Sequence, residues 1–151
     1  VLISSFAQVP ASFLAASYSD RHGRRGIYKL GALAMAVWGF CVFPLMDTGS
    51  LLAITLALTV GQIFIGMMYG PQAALLTELF STEVRYSGAS LGYQLGAIVG
   101  GGMAPIAATA LIAAFGSAIW VSAYIALASL LTWLSLHLLG ENHQADLEKV
   151  A

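Results

Sequence analysis

The stretch Glu78–Pro105, ELFSTEVRYSGASLGYQLGAIVGGGMAP, joins a charged, turn-forming segment to an apolar run in which Gly88, Gly92, Gly96 and Gly100 recur at every fourth position. On a helix, residues four apart lie one above another, so these glycines predict a groove free of side chains along which a second helix backbone can approach closely. Small-residue seams of this kind are how helices meet in lipid, where no hydrophobic force drives them together. A nucleotide-binding reading of residues 96–102 fails on its surroundings. No β-strand precedes it, no acidic residue follows at the spacing that would hold a ribose, and both flanks are apolar. Gly100, Gly101 and Gly102, followed by Pro105, also weaken the helix, because proline offers no N–H to the Gly101 carbonyl and glycine resists bending little. These four residues are a candidate hinge.

The rest of the chain supports a membrane reading. Of its 151 residues 59 % are hydrophobic and 9 % charged, where soluble domains carry roughly a quarter charged residues. All six Lys and Arg fall outside the apolar runs. The single cysteine, Cys41, excludes an intrachain disulfide and a thiolate metal cluster. The first residues are already apolar and no initiator Met or signal peptide is present, so the chain is expected to be a fragment that begins inside a membrane helix.

Five spans are expected, at about 2–19, 27–46, 51–80, 87–115 and 117–139, making an all-α polytopic membrane bundle. In the first, Ser5, Gln8 and Ser12 share a helical face, which must meet protein or water, or else pack as small residues against a neighbour; Pro10 predicts a kink. Residues 19–29, SDRHGRRGIYK, hold four of the six basic residues and read as a short loop in which Gly23 and Gly26 permit a tight turn. Asp20 can there reach the following arginines, or the segment can be a simple topogenic basic loop. In the third span Thr55, Thr59, Gln62, Gly66 and Tyr69 share a face with Gln72 at its edge, and Gly70 with Pro71 predicts a kink and a second candidate hinge. In the fourth, Ser87, Ser90 and Gln94 align with Tyr93 beside them. Gln8, Gln62, Tyr69, Gln72, Tyr93 and Gln94 are therefore candidate substrate-cavity residues. The fifth span shows no polar stripe and reads as peripheral, with Trp120 and Trp133 as interfacial anchors and His137 as a snorkelling or capping residue. Residues 140–151 read as a polar tail with at most a short surface helix.

With five alternating spans, residues 19–29, 80–86 and the tail share one side, and they carry every Lys and Arg of the chain, Lys29 at the start of the next helix. By the positive-inside rule that side, the C-terminus included, is cytoplasmic.

At SDRHGRR and at GPQAALLTELFSTEVRYSGASLGYQLGAIVGGGMAP the sequence resembles the C-terminal half of a major facilitator superfamily transporter, and more closely its metabolite:proton symporter branch, which includes bacterial shikimate, proline/betaine and α-ketoglutarate permeases. The resemblance covers the whole chain and implies that the five spans are helices eight to twelve of a twelve-helix fold. One departure is Ser81, where proline is usual. The resemblance further implies that Asp20, Gly23, Arg24 and Arg25 form the C-half copy of a cytoplasmic motif and that Glu78 and Arg85 are its partners, a charge network that closes the cytoplasmic side. Helices eight, ten and eleven would line the cavity, which agrees with the polar stripes on the first, third and fourth spans.

The function this implies is secondary active uptake of a small polar metabolite, an organic acid or a zwitterionic solute, coupled to protons, in the bacterial inner membrane. No acidic residue lies at mid-membrane, so a proton-coupling carboxylate would belong to N-terminal helices outside this chain or be absent altogether. The alternatives are a uniporter or sugar-porter-like facilitator and a truncated, non-transporting membrane module. The expected partners are substrate, protons, lipid and the remaining helices; nucleic acid, metal and cofactor are not expected, and no catalytic pair or nucleophile motif supports an enzyme.

Overall fold

The computed structural model describes residues 2–139, and every regular element among them is helical. They are α1 (Leu2–His22), α2 (Arg24–Asp47), α3 (Leu51–Glu78), α4 (Arg85–Gly96), a π-helical stretch (Ala97–Gly102), α5 (Met103–Phe115) and α6 (Ile119–Leu138). The stretch from α4 to α5 continues without a break, so five rods stand where five spans were expected. Four of them, Arg24–Asp47, Leu51–Glu78, Arg85–Phe115 and Ile119–Leu138, are long and apolar enough to cross a membrane. The 21 residues of α1 suffice in length, about 31 Å at 1.5 Å per residue. Its serines and Gln8 dilute its apolar character. The polar tail expected over 140–151 lies outside the described residues.

The loop expected over residues 19–29 is not a loop. α1 runs on to His22 and α2 starts at Arg24, so the break is Gly23 alone, at φ 95°, a backbone angle that favours glycine. Gly26 is inside α2. The charges do exclude this segment from hydrocarbon, yet a helix satisfies its own backbone whatever its side chains carry, and the rods simply project beyond the apolar runs.

Contacts set the directions. Gly66 of α3 faces Gln8, Ala11 and Ser12 of α1, and Gly70 faces Ser12, Ala15 and Ala16; the numbers rise together, so α1 and α3 are parallel. Gly31 of α2 faces Phe64, Met67 and Met68, whereas the Trp38 indole donates to the Ala57 carbonyl at 3.1 Å, so α2 is antiparallel to α3. Gly39 of α2 meets Ser122 and Ile125 of α6. The rods form a row in the order α1, α3, α2, α6.

Small residues predominate in the core of this row: Ala15, Ala32, Ala36 and Ala57 are buried, with Leu75, Val121 and Leu136 beside them, while Phe6, Leu14, Val37, Leu52 and Leu131 face outward. A soluble domain would place these the other way round. Large apolar groups outside and glycine and alanine at the contacts suit a bundle whose solvent is lipid. The hydroxyls of Thr55, Thr59 and Thr77 bond to carbonyls of their own helix at 2.7–2.8 Å, so these threonines cost nothing in an apolar surround.

The rod Arg85–Phe115 stands apart, with no buried residue. The glycine groove that the sequence places on it is open: a methyl group built on Gly92, Gly96 or Gly100 meets nothing within 4 Å. Among the described residues the close backbone approach occurs instead at Gly66 and Gly70. Just before Pro105 the rod widens into the π-helical stretch, as expected where a proline removes a donor and three glycines let the backbone change register. α3 passes Gly70 and Pro71 as a continuous helix, with Pro71 fully buried.

Candidate substrate path and charged cluster

Three of the five residues assigned to a cytoplasmic network come together. Arg24 begins α2, Asp20 lies in the last turn of α1 and Glu78 ends α3. The Arg24 guanidinium spans both acids, with Nη2 3.2 Å from Asp20 Oδ1 and Nη1 3.1 Å from Glu78 Oε1. The abrupt break at Gly23 is what lets Asp20 and Arg24 face each other across two helices.

All three charges oppose the dipoles of their own helices. Anions are favoured near helix N-termini and cations near C-termini by about 0.3–1 kcal/mol, yet both acids end their helices and the arginine starts its own. Local helix stability therefore does not account for them. Ion pairs between exposed groups contribute about 0–1 kcal/mol, and the acids here are 63 % and 40 % exposed. The opposing terms are of similar size, which makes the cluster a clasp that can open at small net cost.

The other two residues of the set do not join it. Arg25 donates to the Leu139 carbonyl just past α6, tying the start of α2 to the end of the last helix. Arg85 bonds through Nε to the Phe80 carbonyl at 3.4 Å. The Phe80 ring lies over Gly88, where a methyl would approach it to 2.5 Å. Arg85 and Phe80 thus shape the turn between α3 and α4 rather than contact Glu78.

Of the six candidate cavity residues, Tyr69 on α3 and Tyr93 on α4 come together, their phenols neighbours across the two helices. Gln62 and Gln72 are half-buried on α3, Gln8 is half-buried on α1, and Gln94 is exposed on α4. None of the four amides hydrogen-bonds through its side chain to another described residue. The tyrosine pair and the free amides are uncharged groups able both to donate and to accept. They can bind hydroxyls and carboxylates without fixing a charge of their own. The seam at Gly66 and Gly70 was missed as a contact by sequence reasoning, although its four-residue spacing is the same signal read on α4.

A bundle of apolar rods with small-residue contacts, uncharged polar side chains on three of its rods and charges gathered at one end is a polytopic transport-type membrane protein. A family model described as Major Facilitator Superfamily matches residues 1–149, and the chain belongs to that superfamily. It is 38 % identical over 133 residues to a Haemophilus influenzae protein provisionally named a metabolite transport protein, covering 88 % of this chain and 30 % of that one. The Escherichia coli shikimate transporter is 33 % identical over 129 residues, covering 84 % of this chain and 30 % of the relative. A citrate-proton symporter of Klebsiella pneumoniae is 35 % identical over 113 residues, 74 % of this chain and 25 % of its own length. The chain thus spans under a third of the length of these relatives. No solved structure gives a match of comparable strength.

Proposed function

We propose that this chain is the C-terminal part of a secondary active transporter of the bacterial inner membrane. In this reading it takes up a small polar metabolite, an organic acid or a zwitterionic solute, together with protons. The observation that carries the reading is the tyrosine pair: the side chains of Tyr69 and Tyr93 meet where α3 faces the rod Arg85–Phe115, with unpaired amides on the same two elements. The names of the relatives, a shikimate transporter and a citrate-proton symporter among them, agree with a carboxylate-bearing solute. The described acids Asp20, Asp47, Glu78 and Glu83 lie at helix ends or in turns, so any proton-coupling carboxylate at mid-membrane belongs to other helices of the whole protein. Gly70 with Pro71, and Gly100, Gly101 and Gly102 with Pro105, remain the proposed hinges. The π-helical stretch supports the second, since such segments mark places where helix register shifts easily.

In the full-length parent, Tyr69→Phe, Tyr93→Phe and Gln94→Ala are expected to raise the apparent KM for uptake of radiolabelled shikimate or citrate about fivefold or more, equivalent to one neutral hydrogen bond. Ser129→Ala on α6 should leave it unchanged, and a protonophore should abolish accumulation. Equal effects at all four positions would reduce the polar faces to packing, and accumulation indifferent to the protonophore would favour a facilitator.

Orientation has its own test. The end of α1 and the starts of α2 and α4 carry the described arginines, and the side they share with the last turns of α3 and α6 is proposed to be cytoplasmic. In a Cys41→Ser background, cysteines at Asp47 and Gly116 should react with an impermeant maleimide added to intact cells, and one at His22 should not. The reverse pattern would invert the topology.

A further inference from the structure

A groove of about 620 Å³ runs between α1, α2 and α3, on a face that includes none of the six candidate cavity residues. Its mouth is Tyr18, Arg21 and His22 at the basic end, and its inner walls include Ala11, Ile63 and Met67. From Ala11 to His22 a helix rises roughly 16 Å, about half of a ~30 Å hydrocarbon layer, so the groove is as deep as one leaflet. The mouth is cationic and uncompensated. Asp20, the acid next to Arg21, is held by Arg24 at 3.2 Å, and Arg21 makes no ion pair among the described residues. His22 stacks on Tyr18 with ring centroids 4.3 Å apart and planes 13° apart, its Nδ1 3.4 Å from the Tyr18 carbonyl, which fixes the imidazole beside Arg21.

We propose that this groove holds an anionic phospholipid, its phosphate at Arg21 and His22 and an acyl chain along Ile63 and Met67. The argument is charge complementarity joined to depth: a basic mouth over an apolar slot one leaflet deep fits an acidic headgroup on a chain, as basic pockets between membrane helices do. An uncharged or zwitterionic lipid would leave the Arg21 charge without a counterion.

The test is native mass spectrometry of the chain released from nanodiscs of equal phosphatidylglycerol and phosphatidylcholine. The wild type is expected to retain phosphatidylglycerol preferentially, and Arg21→Gln to lower that preference about fivefold, the effect of one basic side chain near an anionic surface. Arg21→Lys should keep it, and Ile63→Trp, which narrows the slot, should lower retention of both lipids. Lys29→Gln removes a like charge from the same end without lining the groove and should change nothing. Four results would overturn the proposal: no preference between the two lipids; equal loss in Lys29→Gln and Arg21→Gln, which would mean diffuse surface charge; displacement of the lipid by free glycerol phosphate; or no retained lipid in the full-length parent, which would mean that another helix of the protein fills the slot.

Discussion

Gly70→Val is expected to separate α1 from α3 and to remove the folded state of the bundle under conditions where the wild type is intact. A methyl carbon at Gly70 would lie 2.4 Å from the Ser12 carbonyl oxygen and 3.0 Å from the Ala16 nitrogen. Both are backbone atoms of a helix and cannot swing aside as a side chain would. One turn earlier, a methyl at Gly66 would meet the Gln8 carbonyl and the Ala11 methyl, each at 2.9 Å. Relief at either site requires the helices to move apart, and the contacts of Ala15 and its neighbours are lost with the move. Overpacking a tight core costs about 1–3 kcal/mol. A clash against backbone, repeated along a seam, belongs at the upper end of that range. Gly26→Ala is the control, since nothing lies within 4 Å of its added methyl and α2 continues through it; helix propensity alone should make that change stabilising by up to about 1 kcal/mol. Circular dichroism and size-exclusion chromatography in mild detergent, followed through a titration with denaturing detergent, read both effects. A Gly70→Val protein with the wild-type midpoint would show that α1 and α3 do not touch along this face.

The same contact shows where the sequence is legible and where it is not. The helices could be located because lipid imposes a length: apolar runs of the required size leave few alternatives, and the rods begin and end within a few residues of the expected positions. The interior row could not be located so directly. Two seams, Gly66 with Gly70 and Gly88 through Gly100, carry the same four-residue signal, and the signal states only that a backbone can approach, not which helix arrives. Neighbour relations among helices decide that, and periodicity within one helix carries no information about them. Beyond Gly88, which lies under the Phe80 ring, the second seam has no partner among the described residues, in a chain that spans under a third of the length of its relatives.

The charged set divides in a comparable way. Asp20 and Arg24 are four residues apart and would face each other on one unbroken helix; they still do so across Gly23 because the break is a single residue. Glu78, more than fifty positions away, entered through family resemblance, and the parallel packing of α1 on α3 is what brings it to Arg24. Arg25 and Arg85 have the same charge and the same end of the bundle, yet each satisfies a carbonyl that closes a turn or a helix end. Charge type located the cluster, but only the helix directions separated its members from residues that fasten backbone.

Arg24→Ala in the full-length parent is therefore expected to have the largest effect on transport of any single change in the charged set. It leaves Asp20 and Glu78 as two acids at the C-terminal ends of parallel helices, where each helix dipole already disfavours them, with no cation between. A contact present in one conformation and absent in another shifts their balance by its own free energy. Ion pairs as exposed as these contribute about 0–1 kcal/mol each, so the loss of both arms should lower uptake by up to about tenfold, which corresponds to about 1.4 kcal/mol. Glu78→Gln removes one arm and should cost less, whereas Arg24→Lys keeps the charge and should retain part of the activity. The exchange Arg24→Glu with Glu78→Arg is the decisive variant: it restores one pair and also places each charge at the helix end its dipole favours. If the clasp needs only attraction, uptake recovers. If it needs to be weak enough to open, the exchanged pair closes the basic end too firmly, and uptake stays low while a cysteine at Gln72 becomes less accessible from that side. Wild-type uptake in Arg24→Ala, at equal membrane abundance, would show that the cluster has no part in the transport cycle.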